Sequence, residues 1–222
     1  VEDMIVEEDM VVTVSNSGYI KRTPITVYQS QRRGGRGKTA MSTKEEDFVE
    51  QLFVASTHHT FMFFTSKGKV YWCKVYDIPQ AGRTSRGKAL VNLLDLAADE
   101  RVTTILAVPS FELGYYVIMA TRQGVVKKTD LMAFSRPRTG GIIALALDED
   151  DELIAARISD GARNVFLGSA QGKSIRFHEA DIRPSGRTAR GVRGMILAED
   201  DRLVGMEVLS FGQTLFAATE RG

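Results

Sequence analysis

The chain has a single cysteine, Cys73, so it can form no internal disulfide, and a reducing, cytoplasmic compartment is expected. It carries almost no net charge, with 29 lysines and arginines against 28 acids. Taken alone, that balance argues against a nucleic-acid binder, because such domains are usually strongly basic. Long apolar runs are missing as well. Stretches such as residues 61–64 stop within a few positions, which excludes a membrane-spanning helix. No secretory leader is expected, and an opening Val1 in place of Met leads us to expect a piece of a longer polypeptide. Helical periodicity is hard to find anywhere. No G-x-S-x-G, Walker lysine loop or triad order occurs, so no catalytic residue is assigned. What remains is 43% hydrophobic, which excludes general disorder, and 222 residues are enough for one sizeable core.

The chain does contain a repeat. A hydroxyl residue, two variable residues, glycine and an apolar–cationic segment recur as Ser15-Asn16-Ser17-Gly18, Thr65-Ser66-Lys67-Gly68, Thr121-Arg122-Gln123-Gly124 and Ser169-Ala170-Gln171-Gly172. A fifth copy begins at Thr219-Glu220-Arg221-Gly222, and the successive glycines are 50, 56, 48 and 50 residues apart. Each copy reads as a β-hairpin whose glycine supplies the positive φ of a tight turn. Further apolar strands are expected at 52–55, 104–108, 153–158 and 203–209, and again after each basic loop at 89–94, 142–147 and 195–198. About four short strands per repeat of roughly 50 residues is propeller-blade arithmetic. The expectation is an all-β, single-domain protein with approximate repeats at 10–56, 57–108, 109–158 and 159–209 and a truncated one at 210–222. That makes about four blades plus the start of a fifth, in an open or incomplete disc.

The charges follow the same period. Acidic clusters stand at 7–9, 45–47, 99–100, 148–152 and 199–201, and basic loops at 32–38, 83–88, 136–138 and 187–193. If each series keeps its own place on the repeating unit, a near-neutral protein carries a strongly basic band. The densest loop is Gln31-Arg32-Arg33-Gly34-Gly35-Arg36-Gly37, followed by Lys38. Its glycines let the backbone turn tightly and approach a partner closely. Weaker echoes contain Arg83, Arg86 and Lys88, then Arg136 and Arg138, then Arg187, Arg190 and Arg193. Arg36, Arg86, Arg138 and Arg190 are 50, 52 and 52 residues apart, one per blade. Guanidinium groups in such loops suit the phosphates of duplex DNA. A bland reading stands beside this one, in which these are solvated turns whose arginines pair with the acidic clusters. Lys21, Arg22, Lys127 and Lys128 are weaker candidates for DNA contact.

No metal site is expected. The acidic run at 148–152 lacks the alternating ligand spacing and central glycine of an EF-hand loop. His58, His59 and His178 lack Cys or His partners at ligand spacing. Cys73, beside Trp72 in an apolar strand, reads as a buried, inert thiol.

The run from Gln31 to Gly37 resembles the seven-residue box of the gyrase A C-terminal domain family. Gly18-Tyr19-Ile20-Lys21, Lys44-Glu45-Glu46-Asp47-Phe48, Val91-Asn92-Leu93-Leu94 and Gly191-Val192-Arg193-Gly194 extend the likeness over essentially the whole chain. The resemblance implies a β-pinwheel, a propeller-like disc whose blades exchange strands, usually six in number. It implies a duplex wrapped in a positive sense around a basic rim, so that an enzyme core can introduce negative supercoils. The implied partners are duplex DNA, the rest of the gyrase A polypeptide and the gyrase B polypeptide, with no membrane. The isolated domain is expected to be monomeric. The nucleophilic tyrosine and the ATPase with its ATP and Mg lie elsewhere in that family's enzyme, so no cofactor is expected in this domain. The alternatives are a topoisomerase IV C-terminal domain, which an intact box disfavours, and a propeller-like scaffold whose basic loops dock an acidic protein.

Overall fold

The computed structural model describes residues 1–29 and 47–215. The strands β1 (Asp9–Ser15) and β2 (Tyr19–Pro24) form the first hairpin, and β3 (Val49–Ser56) pairs with the other edge of β1. The second repeat holds β4 (Thr60–Thr65), β5 (Lys69–Lys74), β6 (Lys88–Ala89) and β7 (Val102–Val108). The third holds β8 (Tyr116–Thr121), β9 (Val125–Asp130), β10 (Ile142–Ile143) and β11 (Leu153–Ser159). The fourth holds β12 (Asn164–Ser169), β13 (Ser174–His178), β14 (Val192–Arg193) and β15 (Leu203–Leu209). The α-helices among the described residues are two short pieces, α1 (Ile25–Gln29) and α2 (Leu90–Leu93).

These strands make four antiparallel sheets, ordered β3-β1-β2-β6, β10-β5-β4-β7, β11-β8-β9-β14 and β13-β12-β15. The fourth strand of a sheet therefore comes from the next repeat. Lys88 and Ala89 pair with Ile20 and Tyr19, Ile142 and Ile143 with Val70 and Lys69, and Val192 and Arg193 with Val126 and Val125. The last sheet has three strands among the described residues.

This corrects the expectation of longer fourth strands. Only 88–89 and 142–143 are strand in the first two stretches, and in the third the strand is 192–193, ahead of 195–198. The apolar residues that follow leave the ladder. Leu90 and Leu94, Ala144 and Leu145, and Met195 instead plug the spaces between sheets. The sequence pattern shows that these residues are apolar, and that alone does not separate a ladder strand from a buried turn.

The core lies between successive sheets. Phe61 and Phe63 of β4 face back onto Met10, Val12 and Val14 of β1, while Met62 and Phe64 face forward onto Val117 and Met119 of β8. Ile118 and Ala120 of β8 in turn meet Val165 and Leu167 of β12. A strand buried on both faces needs apolar residues at consecutive positions, which is why the run 61–64 does not alternate. All four of its side chains are fully buried, each contributing on the order of 1.5–3 kcal/mol.

Candidate nucleic-acid interface

The hairpin turn organises each joint between repeats. Gly18, Gly68, Gly124 and Gly172 all have φ between +73° and +89°, and each N–H donates to the carbonyl of the hydroxyl residue three before it. That backbone state favours glycine. The glycine carbonyl then accepts from the chain handed over by the next repeat. Leu90 N donates to Gly18 O, Ala144 N and Leu145 N to Gly68 O, and Gly194 N and Met195 N to Gly124 O. A Cβ on Gly124 would lie 2.7 Å from the Met195 carbonyl oxygen. The handed-over strand thus fits directly over the turn, and the Arg-Gly loop leading into it is delivered to an equivalent place on every joint.

In the first and third repeats, side chains three and four residues past the turn glycine hold the incoming segment, and in the second the fourth does. Three residues past the glycine, Lys21 Nζ donates to the carbonyls of Gly82 (3.0 Å), Arg83 (3.1 Å) and Ser85 (2.7 Å). At the matching position, Lys127 Nζ donates to Gly186 (2.8 Å), Arg187 (2.6 Å), Ala189 (3.1 Å) and Ala144 (2.6 Å). Four residues past the glycine, Arg22 donates to Ile78 O and Tyr76 O, Trp72 Nε1 to Phe134 O, and Lys128 pairs with Glu179 at 3.1 Å. Each of these reaches the 3-10 turn that precedes the next basic loop, at Val75–Asp77, Leu131–Phe134 or Glu179–Asp181.

Lys127 and Lys128 are therefore buried clamps, 1% and 5% exposed, and Lys21 and Arg22 are likewise engaged inside a joint. Burial pushes Lys127 down to about 8, with the nearby Arg187 guanidinium acting in the same direction. Sequence reasoning treated these four as possible phosphate contacts and missed the clamp. The signal available was their fixed distance from the turn glycine.

The box residues Gln31, Arg32, Arg33, Gly34, Gly35, Arg36 and Gly37, with Lys38, lie outside the described residues, as does the fifth repeat's Thr219-Glu220-Arg221-Gly222. The other candidates fall on the loops at the joints. Arg83, Arg86, Lys88, Arg136, Arg138, Arg190 and Arg193 are exposed, and Arg187 is half-buried toward the Ile143 carbonyl. Arg86 lies over the Tyr19 ring at 5.5 Å, and Arg190 pairs with Asp148 at 2.9 Å while remaining largely exposed. The bland reading thus holds in part for Arg190, though an exposed pair of this kind contributes little stability and is readily exchanged for a phosphate. The glycines beside these arginines have a structural duty as well. A Cβ on Gly87 would collide with the Ile20 carbonyl, and one on Gly191 with the Val126 carbonyl.

The acidic clusters serve the hairpins. Asp47 accepts from Ser17 N at 3.0 Å, Asp151 from Gln123 N at 2.9 Å and Asp201 from Gln171 N at 3.0 Å, while Asp99 pairs with Lys67 at 2.7 Å. His58 contacts the Ile5 carbonyl, and His59 and His178 accept backbone N–H groups through Nδ1. Among the described residues, no group of three or more His, Cys, Asp or Glu side chains could hold a metal ion. Burial, with Asp77 adding to it, pushes the Cys73 thiol up to about 12. No described helix is long and apolar enough to cross a membrane.

Sheets completed by a strand from the next repeat, with a basic loop at each joint, define a propeller-like β-pinwheel. The family described as DNA gyrase C-terminal domain, beta-propeller, matches residues 9–56, 59–109, 115–160 and 163–210, and the chain belongs to it. It is 51% identical over 222 residues to the DNA gyrase A polypeptide of Klebsiella oxytoca and 48% identical over 221 residues to that of Escherichia coli (strain K12). In both cases the match takes in 100% of this chain and 25% of the relative, so the chain spans about a quarter of their length. Among solved structures it resembles a DNA topoisomerase IV C-terminal domain, with TM-score 0.79 and 28% identity over 93% of this chain and 63% of that one. It also resembles a DNA gyrase A C-terminal domain, with TM-score 0.67 and 25% identity over 90% of this chain and 64% of that one.

Proposed function

We propose that this chain is the non-catalytic, DNA-wrapping part of a gyrase A polypeptide. The carrying observation is the recurrence of one exposed basic loop per joint, each seated by the same backbone contacts to the preceding hairpin. A duplex following these loops meets cations at successive repeats. Bending costs on the order of 1–6 kcal/mol for a 20–30 bp site turned by 40–90°, and several phosphate contacts must offset it. Six such contacts give a log–log salt slope of about −5. Short loops present no helix or ribbon to the major groove, so sequence preference comes from DNA deformability. The wrap is positive, and the attached enzyme uses it to introduce negative supercoils. Its tyrosine nucleophile, its ATPase with Mg and its gyrase B partner lie outside this chain.

The test is ligation of a nicked circular plasmid with increasing protein, followed by deproteinisation and separation of topoisomers. The expected result is a positive linking-number shift that falls with salt and is lost when Arg32, Arg33 and Arg36 are replaced by Ala. Binding without a shift would overturn wrapping, and no binding at low salt would favour the protein scaffold. A second reading, a topoisomerase IV C-terminal domain, has one observation in its favour, the higher TM-score to that structure. The intact run from Gln31 to Gly37 and the gyrase family match stand against it. A linking-number shift insensitive to the Arg32, Arg33 and Arg36 replacements would support the second reading.

A further inference from the structure

The cation that reaches the next repeat's basic loop changes position from joint to joint. In the first and third repeats it stands three residues past the turn glycine, as Lys21 and Lys127. In the second it stands one residue past the glycine, as Lys69, and the third position holds Tyr71. The difference changes the grip. Lys21 gathers three carbonyls of the loop at 82–85, and Lys127 gathers three of the loop at 186–189 with Ala144 as a fourth. Lys69 reaches only the Gly140 carbonyl of its loop, at 3.0 Å, while Tyr71 turns its hydroxyl to Glu100 at 2.9 Å.

Loop carbonyls carry partial negative charge. Left facing outward, they would oppose an approaching phosphate, and a loop free to change shape would lose entropy on binding. An ammonium group under the loop that binds three of them removes both effects, while the arginines of the same loop stay exposed. We propose that Lys21 and Lys127 are positioning residues for DNA contact. They preform the basic loops of the second and fourth repeats, while the third repeat's loop, with one carbonyl on its lysine and Gly141 resting on the Tyr71 ring, is left freer to adapt to the duplex. The inference rests on the DNA-binding reading above, and neither lysine need touch DNA.

The test uses the whole chain and a random-sequence linear duplex. The principal variant is Lys21→Met, because Lys21 is less buried than Lys127 and the variant retains the aliphatic stem. In the free protein, amide exchange across 82–87 is expected to quicken about tenfold. Duplex affinity is expected to fall about as far as in a variant with Arg83, Arg86 and Lys88 all replaced by Ala, and combining the two sets adds little further loss. Lys21→Arg restores both readouts. Lys127→Met repeats the pattern at 186–190, and if it fails to fold, the Lys21 series stands alone. Additive loss would make Lys21 a direct phosphate contact and overturn the proposal. So would unchanged exchange, or a loosened loop with unaltered affinity. If the unsubstituted chain binds no duplex, the DNA reading itself fails and the positioning role falls with it, while the exchange data still show whether the clamp forms.

Discussion

The joint between the second and third sheets and the joint between the third and fourth share one backbone plan and differ in what fills it. Both pass a two-residue strand back to the preceding hairpin, and both hang the next segment on the turn-glycine carbonyl. In the first, Tyr71 and Trp72 occupy the two key positions, with a hydroxyl on Glu100 and an indole N–H on Phe134 O. In the second, Lys127 and Lys128 occupy them, with a carbonyl cage and a buried ion pair. The backbone exchange therefore fixes the architecture, and the two side chains tune how tightly each loop is held.

The two joints differ most in what they lose at Glu179. It is fully buried, pairs with Lys128, and accepts from Ser159 Oγ and Arg163 N at 2.9 Å each. Glu179→Ala leaves a buried ammonium uncompensated and is expected to cost about 3–5 kcal/mol in urea unfolding. The turn glycines come next. Gly124→Ala forces a Cβ into the seat of Met195, whereas Gly172→Ala meets open space at a similar φ. The second should cost only the left-handed backbone penalty, about 1–2 kcal/mol, and the first about 1–3 kcal/mol more by thermal melting. Trp72→Phe keeps a six-membered ring but loses the pyrrole half of the indole and its hydrogen bond to Phe134 O, so about 1–2 kcal/mol is expected in the same assay.

A further effect concerns pH. Lys127 sits at about 8 in the folded chain against an ordinary 10.5. Between those values the unfolded chain holds a proton that the folded chain has released, so unfolding free energy rises with pH there. Lys127→Met removes that contribution, and urea melts across the window should show the unsubstituted chain gaining on the variant as pH increases.

The turn glycines, the apolar hairpin strands and the period of about 50 residues were legible because local chemistry dictates them. The resemblance, not the pattern, pointed to strand exchange. Residues 88–89 carry nothing that says which hairpin they join, since a short strand's partner is a tertiary matter. Arginine-rich loops could be placed at each joint. The buried lysines could not be told from surface ones, because a Lys in a half-polar strand reads alike whether its ammonium meets water or carbonyls. The acidic clusters read as solvated turns, and the structure gives Asp47, Asp151 and Asp201 defined work at the hairpin backbone.

The most direct measurement of a rim that meets the duplex at every joint is amide exchange of the whole chain with and without duplex DNA. Protection is expected to appear together at 82–88, 136–141 and 186–193 as well as at 31–38, with the turns at 15–18 and 169–172 unchanged. Protection confined to 31–38, or centred on the acidic turns, would contradict a rim that meets the duplex at every joint.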